Sequence, residues 1–342
     1  MITVQKLSKF DLTKKQNFLI LILILGVYTT IASIDLLEPE CSGYRECHDY
    51  DRRMSKLYIW DTSWLEDDFR HFVHLGLLTL SGEIFDNYRV LVLASSVLLL
   101  YVTYLLAVSI TGKRIGGIVA IGITLQSSIF FIYDTSVTYP SFWALLFLSS
   151  LYFTRTKYWV LSPILFAISI PAKALTVLFL PALLLFVLLS DTKNKKKIFV
   201  TYLILSIVGL VLLFSVDQLN SRVGGFLLFN NLDFDKFIEG FVSWIWKGFA
   251  QDQLTIVFLA FGTSILLRNR IKNGVAVVVF CFGMILMSPV LIGMTTYDVW
   301  PYRMLPIVSG ISIMIALVFC NIDKWIGPFL NRRSLKEQEQ KP

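Results

Sequence analysis

Ten runs of apolar residues, at about 18–35, 88–110, 115–133, 138–154, 158–171, 174–190, 198–216, 253–267, 273–294 and 303–321, are long enough, or nearly so, to cross a bilayer as helices. With 56% of the chain hydrophobic and only 16% charged, no soluble core could hide that much apolar surface. The fold class is therefore all-α, a polytopic membrane protein of about ten transmembrane helices forming one domain over 1–342. The stretch 158–190 is the least regular. Its halves meet at Ile170-Pro171-Ala172-Lys173 and read as two short spans or a re-entrant segment. The first run follows Lys6, Lys9, Lys14 and Lys15 but lacks a small-residue cleavage site, so it reads as a retained signal anchor. The net charge of +7 does not point to nucleic acid, because the basic residues are scattered over short inter-span loops.

Those loops give the orientation. With the N-terminus in the cytoplasm, the cytoplasmic segments hold 20 of the 31 basic residues and 5 of the 24 acids, so the inside carries +15 and the outside −8. The positive-inside rule is then obeyed at every loop, and both termini are cytoplasmic in a cell membrane. The tail over 326–342 is short and polar.

Two outer segments differ from the rest. The later one, 217–252, carries Phe234, Phe237, Ile238, Phe241 and Ile245 at helical spacing, which predicts an amphipathic helix lying in the interface. The first, 36–87, holds nearly half of the chain's acids and all three histidines. Within it lies Glu66-Asp67-Asp68-Phe69-Arg70-His71. At about 100° per residue a helix over 65–77 places Asp67, Arg70, His71 and His74 on one wet face, and Leu65, Phe69, Phe72, Val73 and Gly76 on the other. Glu66 lies at the edge of the polar face.

Such a face can act in several ways. A carboxylate can serve as a general base or hold a divalent cation such as Mg or Mn, and Arg70 or a histidine can contact an anion. His71 and His74 with an acid are a further metal possibility. The bland alternative is a solvated loop in which Asp67 pairs with Arg70. Cys41 and Cys47 share this loop and either form a disulfide or remain thiols, while Cys281 and Cys320 lie in spans and pack. Lys173 and Arg303 stand at the outer ends of spans, either as interface anchors or as cations for a ligand.

The order of these features resembles the GT-C-fold membrane glycosyltransferases that use polyprenyl-phosphate sugars. The nearest likeness is to the protein O-mannosyltransferase and aminoarabinose-lipid A transferase group. It is carried by Asp67-Asp68-Phe69-Arg70-His71-Phe72 after the first span, by Gly112-Lys113-Arg114, by Ile170-Pro171-Ala172-Lys173-Ala174-Leu175, and by Tyr302-Arg303-Met304-Leu305-Pro306. The chain departs in having Asp-Asp where that group has Asp-Glu, and Ala174 rather than Gly after the lysine.

The resemblance implies a sugar transferred from a polyprenyl (dolichyl-type) phosphate to an acceptor lipid, glycan or protein on the extracytoplasmic side. In that reading Asp67 is the candidate base with Asp68 second, and Lys173, Arg303 and Arg70 face the donor phosphate. Glu66, His71 and His74 contact the acceptor or a metal. The alternative is a non-catalytic assembly partner or a transporter on the same scaffold. Spans nearly free of charge argue against a transporter.

Overall fold

The computed structural model describes residues 10–37, 72–219, 234–243, 249–250, 252–294 and 301–326. Among these the chain is all-helical. In order the helices are α1 (Lys14–Asp35), α2 (Phe72–Phe85), α3 (Val90–Thr111), α4 (Arg114–Leu125), α5 (Ser128–Tyr133), α6 (Phe142–Phe153) and α7 (Leu161–Ala172). Then come α8 (Leu180–Leu189), α9 (Lys195–Leu219), α10 (Phe234–Ser243), α11 (Gln253–Arg268), α12 (Gly274–Met294) and α13 (Leu305–Cys320). Short 3-10 turns, Ala174–Phe179 and Pro301–Met304, lead into α8 and α13.

Among the described residues, three helical segments are long and apolar enough to cross a membrane: α1, α3, and Pro301–Cys320, which comprises the second 3-10 turn and α13. They sit differently in the bundle. The α13 segment is the axis, with 89% of its apolar window buried, and it packs against α3, α4, α11 and α12. By contrast, α1 is the outer wall, with only 17% of its window buried. A capping box starts α1: the Gln16 amide donates to Thr13 Oγ1 (3.2 Å), and the Thr13 amide donates to Gln16 Oε1 (3.1 Å). Asn17, Leu21, Tyr28 and Ala32 face inward, while Phe18, Ile22, Leu23 and Ile31 point out. That outward face is too apolar for water, and hydrocarbon is the solvent that suits it.

The apolar runs do not all become single helices. The expected span 115–133 breaks at Gln126-Ser127 into α4 and α5, because the Ser127 hydroxyl caps a new helix by accepting from the Phe130 amide. The expected span starting at 138 begins as helix only at Phe142, after a non-helical stretch. The stretch 158–190 becomes two short helices joined through an extended Lys173 (φ −158°, ψ 108°) and a 3-10 turn. Pro171 lacks an amide donor and so weakens the helix there. A 12-residue helix rises only about 18 Å, less than the hydrocarbon thickness, so α4, α6 and α7 reach across only with the segments that continue them.

Close packing of α3 on α4 depends on Gly117. A Cβ there would meet the Tyr104 ring at 2.4 Å. That ring also ties in α1, since Asn17 Nδ2 donates to the Tyr104 hydroxyl (2.7 Å). Gly117→Ala therefore lowers stability by about 1–3 kcal/mol through overpacking. Thermal unfolding in detergent reads the loss, and an unchanged Tm would mean that α3 and α4 do not pack this closely.

Polar contacts gather at the two ends of the bundle. At one end Arg114 bonds the Leu12 carbonyl (2.8 Å) and pairs with Asp11 (3.6 Å), Lys113 bonds the Cys320 carbonyl (2.7 Å), and Lys272 pairs with Asp191 (2.7 Å). At the other end lie Lys173, Arg89, Asp134 and Tyr302, around which the candidate site is built.

Candidate functional site

The segment Asp134-Thr135-Ser136-Val137-Thr138-Tyr139-Pro140-Ser141 is polar, non-helical and buried throughout. Burying such a segment is costly unless its polar groups find partners. Several elements supply them. From α1, the Tyr28 hydroxyl donates to Asp134 Oδ2 (3.0 Å). From α3, the Ser96 hydroxyl donates to the Asp134 carbonyl (2.7 Å). Arg89, which caps the start of α3 and is only 6% exposed, donates from Nε to the Thr135 carbonyl (3.0 Å) and from Nη2 to Thr135 Oγ1 (2.9 Å). From α2, His74 Nε2 lies 3.3 Å from the Val137 carbonyl.

This pinned segment presents Tyr139 to the start of the last helix. The Tyr139 and Tyr302 rings stack with centroids 4.2 Å apart and planes 9° from parallel. Tyr133 meets both edge-on, at 5.9 and 6.0 Å. Lys173, arriving from the break after α7, places Nζ 4.6 Å from the Tyr302 ring centre. The guanidinium carbon of Arg303 lies 5.7 Å from the same centre, and its Nε donates to the Tyr302 hydroxyl (3.4 Å). Tyr302 and Arg303 are both buried. Two cations against one tyrosine ring are held by its quadrupole and together make a locus suited to an anion such as a phosphate.

The sequence-derived residues are therefore placed as follows. Lys173 and Arg303, far apart in the chain, are brought together on Tyr302. His74 is not on a wet face: it is 5% exposed, edge-on to Phe142 at 6.5 Å, because residues 134–141 fold over it. Its Nε2 is directed at the Val137 carbonyl. Its helix runs over Phe72–Phe85 and is apolar on most sides. Glu66, Asp67, Asp68, Arg70, His71, Cys41 and Cys47 lie outside the described residues. Cys281 and Cys320 are buried free thiols.

Sequence reasoning passed over Arg89, Thr135, Tyr139 and Tyr302 as site-forming residues. The available signal was the polar run Asp134–Ser141 set between two apolar runs, together with an arginine at the mouth of a span. A second buried carboxylate, Asp252, accepts from the Ser127 hydroxyl and from the Thr255 amide (3.3 Å). It caps α11.

These features define an all-helical membrane protein with a tyrosine-lined cationic site at one end of its bundle. No family model matches the chain, and no curated protein and no solved structure matches it.

Proposed function

We propose that the chain is an integral-membrane glycosyltransferase of the GT-C kind, with about ten spans, cytoplasmic termini and an extracytoplasmic active site. One observation carries this reading: Lys173 and Arg303 converge on Tyr302 although they lie 130 residues apart in the chain. The donor is a sugar on a polyprenyl phosphate, its phosphate seated at these two cations. Asp67 takes the proton of the acceptor hydroxyl or amine as the acceptor attacks the anomeric carbon. The new bond forms at that carbon while its bond to the phosphate oxygen breaks. The electron pair leaves with the polyprenyl phosphate, whose added charge the cations stabilise. In-line displacement inverts the anomeric centre.

Purified protein in detergent, given a polyprenyl-phosphate-linked sugar and acceptor extract, is expected to transfer the sugar with inversion. Asp67→Asn lowers the rate by about 10²-fold or more, the usual worth of a positioned base. Retention of configuration, or full activity in the Asn variant, would remove this mechanism. Donor binding without transfer to any acceptor would favour a non-catalytic assembly partner.

A further inference from the structure

The end of the bundle opposite Tyr302 has its own cation cluster. Arg155 follows α6, and its Nη2 donates to the Ser109 carbonyl at the end of α3 (3.0 Å). Its Nε and Nη1 are buried and meet no acceptor among the described residues. A guanidinium carries five N–H donors, and leaving several unmet away from water is costly. Asp191 acts electrostatically on Arg155, Lys195 and Lys272. Its carboxylate is occupied by Lys272 at 2.7 Å, and that hydrogen bond holds the carboxyl below the usual carboxylate range. One carboxylate therefore serves three cations.

The cluster has a defined setting. Because α7 packs on both α6 and α9, and α8 packs on α9, the loop 154–160 neighbours the loop 190–194. Lys157 lies two residues after Arg155 in the first of these loops, its Nζ 4.8 Å from the Tyr158 ring. Within a few residues of Arg155, Lys157 and Lys195 along the chain, Tyr158, Val160, Leu161, Leu188, Leu189 and Val200 are exposed apolar side chains. A bilayer that covers these places its head groups level with Arg155, Lys157, Lys195 and Lys272.

We propose that Arg155, Lys157, Lys195 and Lys272 form a seat for the phosphodiester head group of an anionic phospholipid. The ligand is a lipid rather than a free anion because the cations border a lipid-covered surface. The inference rests on the membrane fold and stands apart from the transfer reaction.

The test uses the full chain in phosphatidylcholine vesicles containing phosphatidylglycerol. The acyl chains of one lipid or the other are brominated to quench tryptophan. Trp159 adjoins the cluster, and its share of the signal is the difference between the wild type and Trp159→Phe. Brominated phosphatidylglycerol is expected to be enriched at Trp159 by about fivefold over brominated phosphatidylcholine. Arg155→Gln with Lys157→Gln removes the preference. Asp191→Asn raises it, since it deletes an acid and no cation. Equal quenching by the two lipids in the wild type overturns the proposal. So does a preference unchanged in the double variant, which would mean that general surface charge suffices. A fall in both the double variant and Asp191→Asn would mean structural damage and equally overturns it. Loss of the preference on adding inorganic phosphate would assign the site to free phosphate instead.

Discussion

On the proposed glycosyltransferase function, Lys173→Met and Arg303→Met are each expected to lower kcat for sugar transfer by about 10²-fold, the scale expected when one preorganised charge is withdrawn from a developing anion. In the proposed reaction the donor is a phosphodiester with one negative charge, and the departing monoester carries up to two. Both cations therefore bind the transition state more strongly than the ground state, so kcat falls more than KM rises. In that reaction the two would act on one phosphate, and both lie against one shared ring, so their losses are not expected simply to add. The double variant is expected near 10³-fold rather than the full product. Tyr302→Phe is the control. It keeps the ring that Lys173 and Arg303 lie against and loses only the hydroxyl, with its hydrogen bonds from Lys173 and from Arg303 (3.4 Å), so it costs a few-fold at most. Arg303 is nearly fully buried among apolar neighbours, and methionine fills such a site without a large cavity. A kcat within twofold of wild type in both single variants would remove these residues from the reaction.

Much of the architecture was legible because hydrophobic runs and helix-stopping residues act locally. The long apolar runs around α1, α3 and the last helix needed only length and composition. The break at Lys173 could be read from Pro171, whose effect is likewise local. The helix at Phe234–Ser243 fell where the aromatic spacing put it, with Phe237 and Phe241 partly buried and the helix packed on α12. What escaped the sequence depends on distant partners. Nothing near Asp134 announces that Tyr28, more than a hundred residues earlier, supplies its hydrogen bond. Without that partner and Arg89, residues 134–141 would be read as a solvated loop, whereas they form a buried polar layer. His74 shows the converse. Helical phasing set it on one face with Asp67, Arg70 and His71, which lie outside the described residues, but phasing says nothing about what later covers that face.

The buried polar layer also explains how two cations can be held in place at the end of an apolar bundle. Tyr139 can stack on Tyr302 only if residues 134–141 stay fixed, and the segment has no helix of its own to fix it. Its rigidity comes from outside, through α1, α2 and α3. The chain thus couples the geometry of Tyr302 to hydrogen bonds made on the far side of the segment.

Arg89→Met tests that coupling and is expected to lower stability by about 3 kcal/mol. Arg89 makes two charge-assisted hydrogen bonds to Thr135, at 3.0 and 2.9 Å, in a site that excludes water. Such bonds contribute about 1.5–3 kcal/mol each, partly offset here by the cost of burying a guanidinium. Removing the arginine leaves the Thr135 carbonyl and hydroxyl to find new partners. Arg89→Lys keeps the charge but not the planar fork that reaches both oxygens, so it recovers about half of the loss. The measurement is thermal or denaturant unfolding in detergent, read together with near-ultraviolet circular dichroism of the tyrosines. Because the segment carries Tyr139, the methionine variant also loosens the Tyr139–Tyr302 stack, and its aromatic signal weakens below the unfolding transition. A variant with wild-type Tm and wild-type aromatic signal would show that the segment is held by α1, α2 and Ser96 of α3 without Arg89, and that Arg89 is a passenger in the layer it spans.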